Sequence, residues 1–130
     1  MTLSIIIPVY NEKNTIRQIL DRIDRVRLPE VEKEIILIDD HSTDGTREIL
    51  DRLKNRYKVI FKDKNEGKGS AVKVGFTASA GDILIIQDAD LEYDPREYQN
   101  LIQPILDGDA DAVFGSRFLG AAAHRVLYFR

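Results

Sequence analysis

The sequence lacks several features that mark common classes of protein. Its 130 residues include no cysteine, which excludes disulfide bonds, thiolate metal sites and cysteine nucleophiles and suits a reducing compartment. No apolar run approaches the roughly 20 residues that a membrane-spanning helix needs, and the first four residues lack the basic segment that opens a signal peptide. The net charge of −3 argues against general nucleic-acid binding. These absences favour a cytoplasmic protein.

Glycine-rich phosphate loops are also missing where such loops would lie. The first apolar run, 3–9, continues into Tyr10-Asn11-Glu12 without a glycine. The dinucleotide-binding fingerprint and the P-loop both need glycines directly after such a strand, because the backbone must approach the phosphates closely. Both of these nucleotide-binding classes are therefore excluded.

An alternation of strands and helices is present. Hydrophobic residues make up 43% and charged residues 32% of the chain, which fits one soluble globular domain over 1–130. Short apolar runs alternate with segments whose apolar residues recur every three or four positions. The pattern predicts an α/β fold with a Rossmann-like, mostly parallel sheet flanked by helices. The predicted strands are 3–9, 34–39, 57–61, 83–87 and 112–115, and the predicted helices are 14–26, 47–56, 67–80 and one that begins at Asp94-Pro95.

Two carboxylates follow the fourth of these strands. Asp88 and Asp90 leave the end of the apolar run 83–86 one residue apart, at the edge of the sheet where open α/β proteins bind ligands. Carboxylates this close repel each other unless a cation lies between them, and oxygen ligands suit hard ions such as Mg²⁺ or Mn²⁺. The pair predicts a metal that holds a diphosphate, although an acidic turn in solvent would give the same short pattern.

The other strand ends carry complementary groups. Tyr10 follows the first strand, Asp39-Asp40 ends the second, and a turn at 65–69 that contains Lys68 follows the third. Acidic residues after the second strand commonly accept hydrogen bonds from a nucleoside, and a helix start with a lysine can bind phosphate. Taken singly, each has a structural explanation: edge packing for Tyr10, a helix cap for Asp40 and a helix start for 67–69. Their common edge predicts a pocket for a nucleoside diphosphate and a metal.

With these motifs the sequence resembles the inverting glycosyltransferases of family 2. Within that family it is most similar to the polyprenyl-phosphate glycosyltransferases, such as the dolichol-phosphate mannosyltransferases. The resemblance covers nearly the whole chain and implies a GT-A type fold that uses a nucleotide-diphosphate sugar as donor. The motifs that carry it are 6–12, 39–46, 65–69, 88–90, 115–118 and 124–129.

The resemblance also implies roles in donor binding. Tyr10 and Asp40 would meet the base, and Glu12 would lie near the ribose or base. Lys68 would face the diphosphate. The full set of nucleotide-binding residues that the resemblance implies is Pro8, Tyr10, Glu12, Asp39, Asp40, Lys68, Asp88 and Ala89.

The same resemblance implies the metal ligands. Asp88 and Asp90 would meet the metal and the phosphates, and Asp90 would also be catalytic. Close relatives often carry glutamine where this chain has Glu92. A third carboxylate at that position would still ligate a metal and would add negative charge, so Glu92 is included among the expected ligands.

The acceptor can be considered from its chemistry. A sugar hydroxyl needs a general base, whereas a lipid phosphate is already anionic at neutral pH and needs cations to hold it. Arg117 follows the predicted strand 112–115 and can bind phosphate through two N–H groups, although a salt bridge to a carboxylate is an equal alternative. The resemblance implies that Arg117 is catalytic and that Ser116, Arg117 and Arg125 bind the acceptor phosphate.

The leading prediction is a metal-dependent inverting glycosyltransferase that moves mannose or glucose from GDP-mannose or UDP-glucose to a polyprenyl phosphate. Transfer to a saccharide hydroxyl and a donor-binding module without transferase activity stay open as alternatives. The resemblance implies peripheral contact with the inner face of the membrane, and a chain that is truncated relative to the family. The run 126–129 is interpreted as the start of a helix without its normal cover, which would leave it to meet a membrane surface or a second copy of the chain.

Overall fold

The computed structural model describes residues 1–91 and 94–108 in full and the backbone of two further strands. Strands and helices alternate, as predicted. The strands are β1 (Thr2–Val9), β2 (Glu32–Asp39), β3 (Lys58–Phe61), β4 (Ile83–Ile86), β5 (Ala112–Phe114) and β6 (Val126–Phe129). The helices are α1 (Ile16–Arg25), α2 (Thr46–Leu53), α3 (Lys68–Ala78) and α4 (Tyr98–Leu106), the last preceded by a 3₁₀ turn at Pro95–Glu97. Within this described part, no helix has the length and apolar character needed to cross a bilayer.

The six described strands form one sheet in the order β3-β2-β1-β4-β6-β5. The neighbours β3, β2, β1 and β4 run parallel to one another, which confirms the predicted mostly parallel sheet. β6 runs antiparallel to β4, and β5 runs antiparallel to β6. Parallel strands that are buried on both faces need continuous apolar sequences, and the runs 5–7, 35–38 and 83–86 provide them.

One prediction, the helix start at 126–129, is wrong. These residues form strand β6, whose backbone pairs with β4 on one side and with β5 on the other. The sequence Val126-Leu127-Tyr128-Phe129 contains β-branched and aromatic residues, which favour strands. Because both edges of β6 are paired, its backbone is not an open edge to which a second copy of the chain could add a strand.

The core consists of two apolar layers, one on each face of the sheet. Successive residues of β1 point to opposite faces, so Leu3, Ile5 and Ile7 join the larger cluster while Ile6 joins the smaller one. The smaller cluster lies against α3. The larger cluster takes up the apolar face of α1, formed by Ile16, Ile19, Leu20 and Ile23.

Helix α3 lies very close to the sheet because Gly75 has no side chain. A Cβ atom at this position would come within 2.5 Å of Ile6 Cγ2 and 2.7 Å of Ile38 Cδ1. These two side chains come from the central strands β1 and β2. The close approach therefore sets the position of α3 over the sheet and, with it, the position of its first residue, Lys68.

The strand order creates a crevice at the carboxyl edge of the sheet between β1 and β4. From β1 the chain moves outward to β2 and β3, and it then returns to the other side of β1 as β4. The connections after β1 and β4 therefore leave adjacent strands in opposite directions. Open α/β sheets bind ligands at such a point.

Candidate active site

A cavity of about 310 Å³ opens at this crevice. Its walls come from the loops after β1, β2 and β4 and from the start of α3, so the structure brings the four predicted strand ends together. Its size lies within the range of roughly 300–1,000 Å³ that is typical of small-molecule sites. Of the eight residues predicted to bind the nucleotide, all except Asp39 are among the described residues that line the cavity: Pro8, Tyr10, Glu12, Asp40, Lys68, Asp88 and Ala89.

The loop after β1 is held in place by the loop after β2. Asn11 adopts a φ of 52°, a left-handed conformation that asparagine tolerates, and its N–H donates to Ser42 Oγ at 2.9 Å. The N–H of Glu12 donates to Thr46 Oγ1 at 3.1 Å. Tyr10, which is 46% exposed, lies on this anchored loop, and its ring can offer a flat aromatic face to a ligand.

Asp40 is buried and supports the turn that leads into α3. Its Oδ1 accepts hydrogen bonds from the Glu66 N–H at 3.0 Å and the Lys62 ammonium at 3.1 Å, and its Oδ2 accepts the Gly67 N–H at 2.9 Å. Burial alone would raise the pKa of Asp40, but these hydrogen bonds outweigh burial and hold the pKa below its ordinary value of 3.8. Asp40 therefore supports the turn that leads into α3, and its place in the cavity wall keeps a contact with the base open as well.

Lys62 is absent from the residues that the sequence predicts for the site. Its side chain is buried, and its ammonium donates to Ser70 Oγ at 2.6 Å and lies 3.3 Å from Glu66 Oε1 as well as contacting Asp40. Burial would lower the pKa of Lys62, but its hydrogen bonds to Asp40 and Glu66 raise the pKa above 10.5. The sequence feature that could have identified Lys62 is its place directly after β3, at the same sheet edge as the other site residues. The charged residues that follow it suggest a solvent-exposed loop instead.

Asp39 is fully buried at the end of β2 and is not among the described residues that line the cavity. Its Oδ2 accepts the Ser42 N–H at 3.1 Å and lies 3.5 Å from Arg47 Nε. Its Oδ1 has no hydrogen-bond partner among the described residues. Arg47 in turn lies over the ring of Phe61 at 5.0 Å. These contacts anchor α2 to the loop after β2, and the nucleotide contact of Asp39 stays a prediction.

Lys68, at the start of α3, meets the carboxylates after β4 in the wall of the cavity. Gly67 has a φ of 94°, a conformation that favours glycine, and it turns the chain into α3. The Lys68 ammonium then forms an ion pair with Asp88 Oδ1. Asp88 is buried, whereas Asp90 is exposed. The structure thus brings together the charged groups that the sequence predicts for the diphosphate and the metal.

The donor atoms fit a divalent cation that takes part of its coordination from a bound ligand. Within 1–91 and 94–108, no group of three or more metal-binding side chains is arranged to hold an ion. Asp88 and Asp90 supply two carboxylates, and Mg²⁺ in nucleotide sites binds through one or two carboxylates together with phosphate oxygens and water. The described cavity wall contains four acidic residues and a single cation, Lys68, so a diphosphate would be repelled without a further positive charge. Glu92, the predicted third ligand, lies outside the described residues.

The predicted acceptor residues Ser116, Arg117 and Arg125 also lie outside the described residues. The direction of the preceding strand is described. β5 runs antiparallel to β6, which runs antiparallel to β4, so β5 points in the same direction as β4. Its last residue, Phe114, therefore ends at the carboxyl edge, on the side of the sheet where the cavity lies.

Sequence comparisons identify relatives along most of the chain. The sequence model of the family described as Glycosyl transferase family 2 matches residues 4–123. Dolichol-phosphate mannosyltransferase of Pyrococcus furiosus is 39% identical over 121 residues, which are 92% of this chain and 34% of that protein. Undecaprenyl-phosphate 4-deoxy-4-formamido-L-arabinose transferase of Proteus mirabilis is 36% identical over 110 residues, 81% of this chain and 34% of that protein. The chain spans about a third of the length of these curated relatives.

Solved structures share the fold. Mannosyltransferase PcManGT from Pyrobaculum calidifontis, solved with GDP-Man and Mn²⁺, has a TM-score of 0.80 at 23% identity and aligns with 98% of this chain and 44% of its own. S. aureus TarS 1–349, solved with UDP, has a TM-score of 0.73 at 26% identity and aligns with 86% of this chain and 34% of its own. The expected GT-A type fold is confirmed. Since the family match extends over residues 4–123, the chain belongs to glycosyl transferase family 2.

Proposed function

We propose that the chain is the donor-binding part of a metal-dependent inverting glycosyltransferase that moves a hexose from a nucleotide-diphosphate sugar to a polyprenyl phosphate. The observation that carries this proposal is the meeting of Tyr10, Asp40, Lys68, Asp88 and Asp90 around one cavity at the carboxyl edge of the sheet. The names of the relatives from Pyrococcus furiosus and Proteus mirabilis, which refer to dolichol phosphate and undecaprenyl phosphate, support a lipid phosphate as the acceptor.

The base end of the donor would lie between the loops after β1 and β2. The exposed Tyr10 ring can stack on a base. Asp40 uses three donors of the protein, and a carboxylate has about four acceptor positions, so it retains capacity for one N–H of a base. Glu12, on the same loop as Tyr10, would accept a hydrogen bond from the ribose or the base.

The diphosphate end would lie between α3 and β4. A divalent cation, when bound by Asp88 and Asp90, would supply Lewis-acid stabilisation of the charge on the leaving diphosphate. Lys68 neutralises Asp88 in this structure. When donor and cation occupy the cavity, we expect the Lys68 ammonium to turn from the carboxylate to a phosphate oxygen, where it would stabilise the same leaving charge.

The acceptor phosphate would approach from the side of β5. A phosphate monoester is anionic at neutral pH and can attack the sugar carbon without a general base. The sequence motifs suggest that Ser116, Arg117 and Arg125 hold it, and β5 ends at the carboxyl edge. A lipid acceptor would bring the protein into peripheral contact with the cytoplasmic face of a membrane.

Calorimetric titration with GDP and UDP, each with and without Mn²⁺, tests the donor site. We expect Mn²⁺ to increase the affinity for one of the two nucleotides, and Asp88→Asn and Asp90→Asn to remove that increase because each variant takes away a charged metal ligand. Asp82→Asn is the matched control, since Asp82 lies before β4 at the opposite edge of the sheet. Wild-type metal dependence in both site variants would contradict the proposed metal site.

Incubation of the protein with labelled donor and either polyprenyl phosphate or a saccharide tests the reaction. Product on the lipid phosphate supports the proposal. Product on the saccharide alone would favour the hydroxyl-acceptor alternative, and metal-dependent binding without either product would favour a donor-binding module.

A further inference from the structure

The turn that carries Asp88 and Asp90 is held through its backbone from two sides. Gln87 Nε2 donates to the carbonyl oxygen of Asp88 at 3.1 Å, and Thr15 Oγ1 donates to the carbonyl oxygen of Ala89 at 2.6 Å. These two carbonyls belong to the two peptide planes that join Asp88 to Asp90. Holding these planes limits how the backbone on either side of Ala89 can turn, and with it the relative placement of Asp88 and Asp90.

Gln87 is itself held by helix α4. The Tyr98 hydroxyl donates to Gln87 Oε1 at 2.7 Å, and both side chains are fully buried. By the alternation of a strand, Gln87 continues the face on which Ile83 and Ile85 enter the core. An apolar residue would continue that pattern without the desolvation penalty that a buried amide incurs. The polar pair therefore connects α4 to the backbone of the turn.

Thr15 departs from its expected local role in a similar way. It occupies the N-cap position of α1, where a threonine hydroxyl commonly accepts an N–H of its own helix, yet its side chain makes no capping hydrogen bond. The hydroxyl instead contacts Ala89, 74 positions away in sequence, and lies 2.9 Å from Glu12 Oε2. Thr15 thus connects the loop after β1 to the turn after β4.

We propose that Thr15 and Tyr98 are positioning residues that fix the two carboxylates for a metal-bound diphosphate. The proposal rests on the proposed function. Neither residue needs to touch the donor: Tyr98 acts through Gln87, and Thr15 acts through the Ala89 carbonyl. Removing a group that hydrogen-bonds directly to a metal ligand typically lowers metal affinity about 10–100-fold. Thr15 and Tyr98 act one step further from the carboxylates, so we expect losses at the lower end of that range.

The test uses substitutions that remove one hydroxyl group and little else. Tyr98→Phe should lower the gain in nucleotide affinity that Mn²⁺ produces by about 10-fold and leave binding without metal unchanged. Thr15→Val should do the same, while Thr15→Ser, which retains the hydroxyl, should restore the gain. Tyr57→Phe is the matched control, because the Tyr57 hydroxyl donates to Asp24 Oδ2 at 2.5 Å near the opposite end of α1. It should lower thermal stability without changing the metal-dependent gain.

Hydrogen exchange supplies a second measurement that needs no ligand. The amides of residues 88–90 should exchange faster in Tyr98→Phe than in Tyr57→Phe at equal overall stability. A wild-type metal-dependent gain in both Tyr98→Phe and Thr15→Val would overturn the inference. If the wild-type protein binds no nucleotide, the proposed function is wrong, and hydrogen exchange alone tests the positioning role. Unchanged exchange rates at residues 88–90 would then overturn that role, and faster rates would support it.

Discussion

Replacing Asp40 with asparagine should destabilise the protein through the start of α3. The carboxylate receives three donors, on both of its oxygens, whereas an asparagine side chain has only one acceptor oxygen. If that oxygen takes the place of Oδ1, the amide NH₂ faces the Gly67 N–H. In the reverse orientation the NH₂ faces both Lys62 and the Glu66 N–H, which is worse.

The expected magnitude follows from the better of these orientations. It loses one hydrogen bond to a charged acceptor, which is worth about 1.5–3 kcal/mol. Lys62 also loses its buried counter-charge and keeps Glu66 as its charged partner. Together we expect the free energy of unfolding to fall by about 2–4 kcal/mol. That loss is a large part of the roughly 5–15 kcal/mol typical of a domain.

The same substitution should change how stability depends on pH. The folded state holds the pKa of Asp40 below 3.8, so the carboxylate contributes stability at pH values above the unfolded pKa, and that contribution is lost as the pH falls through the folded pKa. Asparagine does not titrate. The difference in stability between the wild type and Asp40→Asn should therefore be full at pH 7 and should shrink in acid below about pH 4.

Urea unfolding followed by circular dichroism at pH 7 and pH 2.5 measures both effects. Asp51→Asn is the control, because it removes an exposed carboxylate that pairs with Lys54 at 3.1 Å, and exposed pairs contribute about 0–1 kcal/mol. An equal difference at the two pH values, or a loss no larger than that of Asp51→Asn, would refute the role assigned to the Asp40 hydrogen bonds. If Asp40 also meets the base, the variant will bind nucleotide more weakly even without metal.

Two further predictions concern the close approach of α3 and the acceptor site. Gly75→Ala should destabilise the protein by about 1–3 kcal/mol because its Cβ would overlap Ile6 and Ile38. Gly69→Ala in the same helix should be neutral or stabilising, because no described residue beyond its own turn of helix lies within 4 Å of the added Cβ. Thermal melts of the two variants check this, and equal effects would contradict the packing argument. Arg117→Lys should slow transfer to a polyprenyl phosphate with donor binding nearly unchanged, because lysine keeps the charge but loses the planar two-pronged donor. Kinetics with each substrate varied in turn, together with a thermal melt, test this. If Arg117 instead forms a structural salt bridge, the substitution would impair donor kinetics, acceptor kinetics and stability together.

The residues of the cavity could be predicted because parallel strands place their carboxyl ends at one edge. The order of β1, β2, β3 and β4 in the sequence was enough to expect that Tyr10, Asp40, Lys68 and Asp88 would meet. The different contacts of Asp39 and Asp40 could not be predicted. The two residues are adjacent in sequence, yet Asp39 contacts Ser42 and Arg47 whereas Asp40 contacts Lys62 and the turn before α3. Neighbours on an extended chain point to opposite sides, and the sequence does not say which side holds the ligand.

The wrong helix start at 126–129 has a related cause. Four consecutive apolar residues have neither the period of a helix nor that of a half-buried strand, so a short run of this kind is ambiguous. The partners that make it a strand are β4 and β5, and β4 lies about 40 positions earlier in the sequence. The neighbouring strands, and not the local pattern, decide the conformation of this segment.

The same reasoning explains why the sequence predicts the chemical groups of the site better than their support. Asp88 and Asp90 form a recognisable pair because one short segment of the chain supplies both carboxylates of the predicted metal site. Thr15 needs only to reach the turn from the start of α1, and Tyr98 needs only to reach Gln87 from α4. Any hydroxyl at a suitable distance would serve. A substitution at either residue therefore leaves every recognisable motif intact while it loosens the carboxylates, which is why the precision of this site has to be measured through metal-dependent binding and not inferred from its motifs.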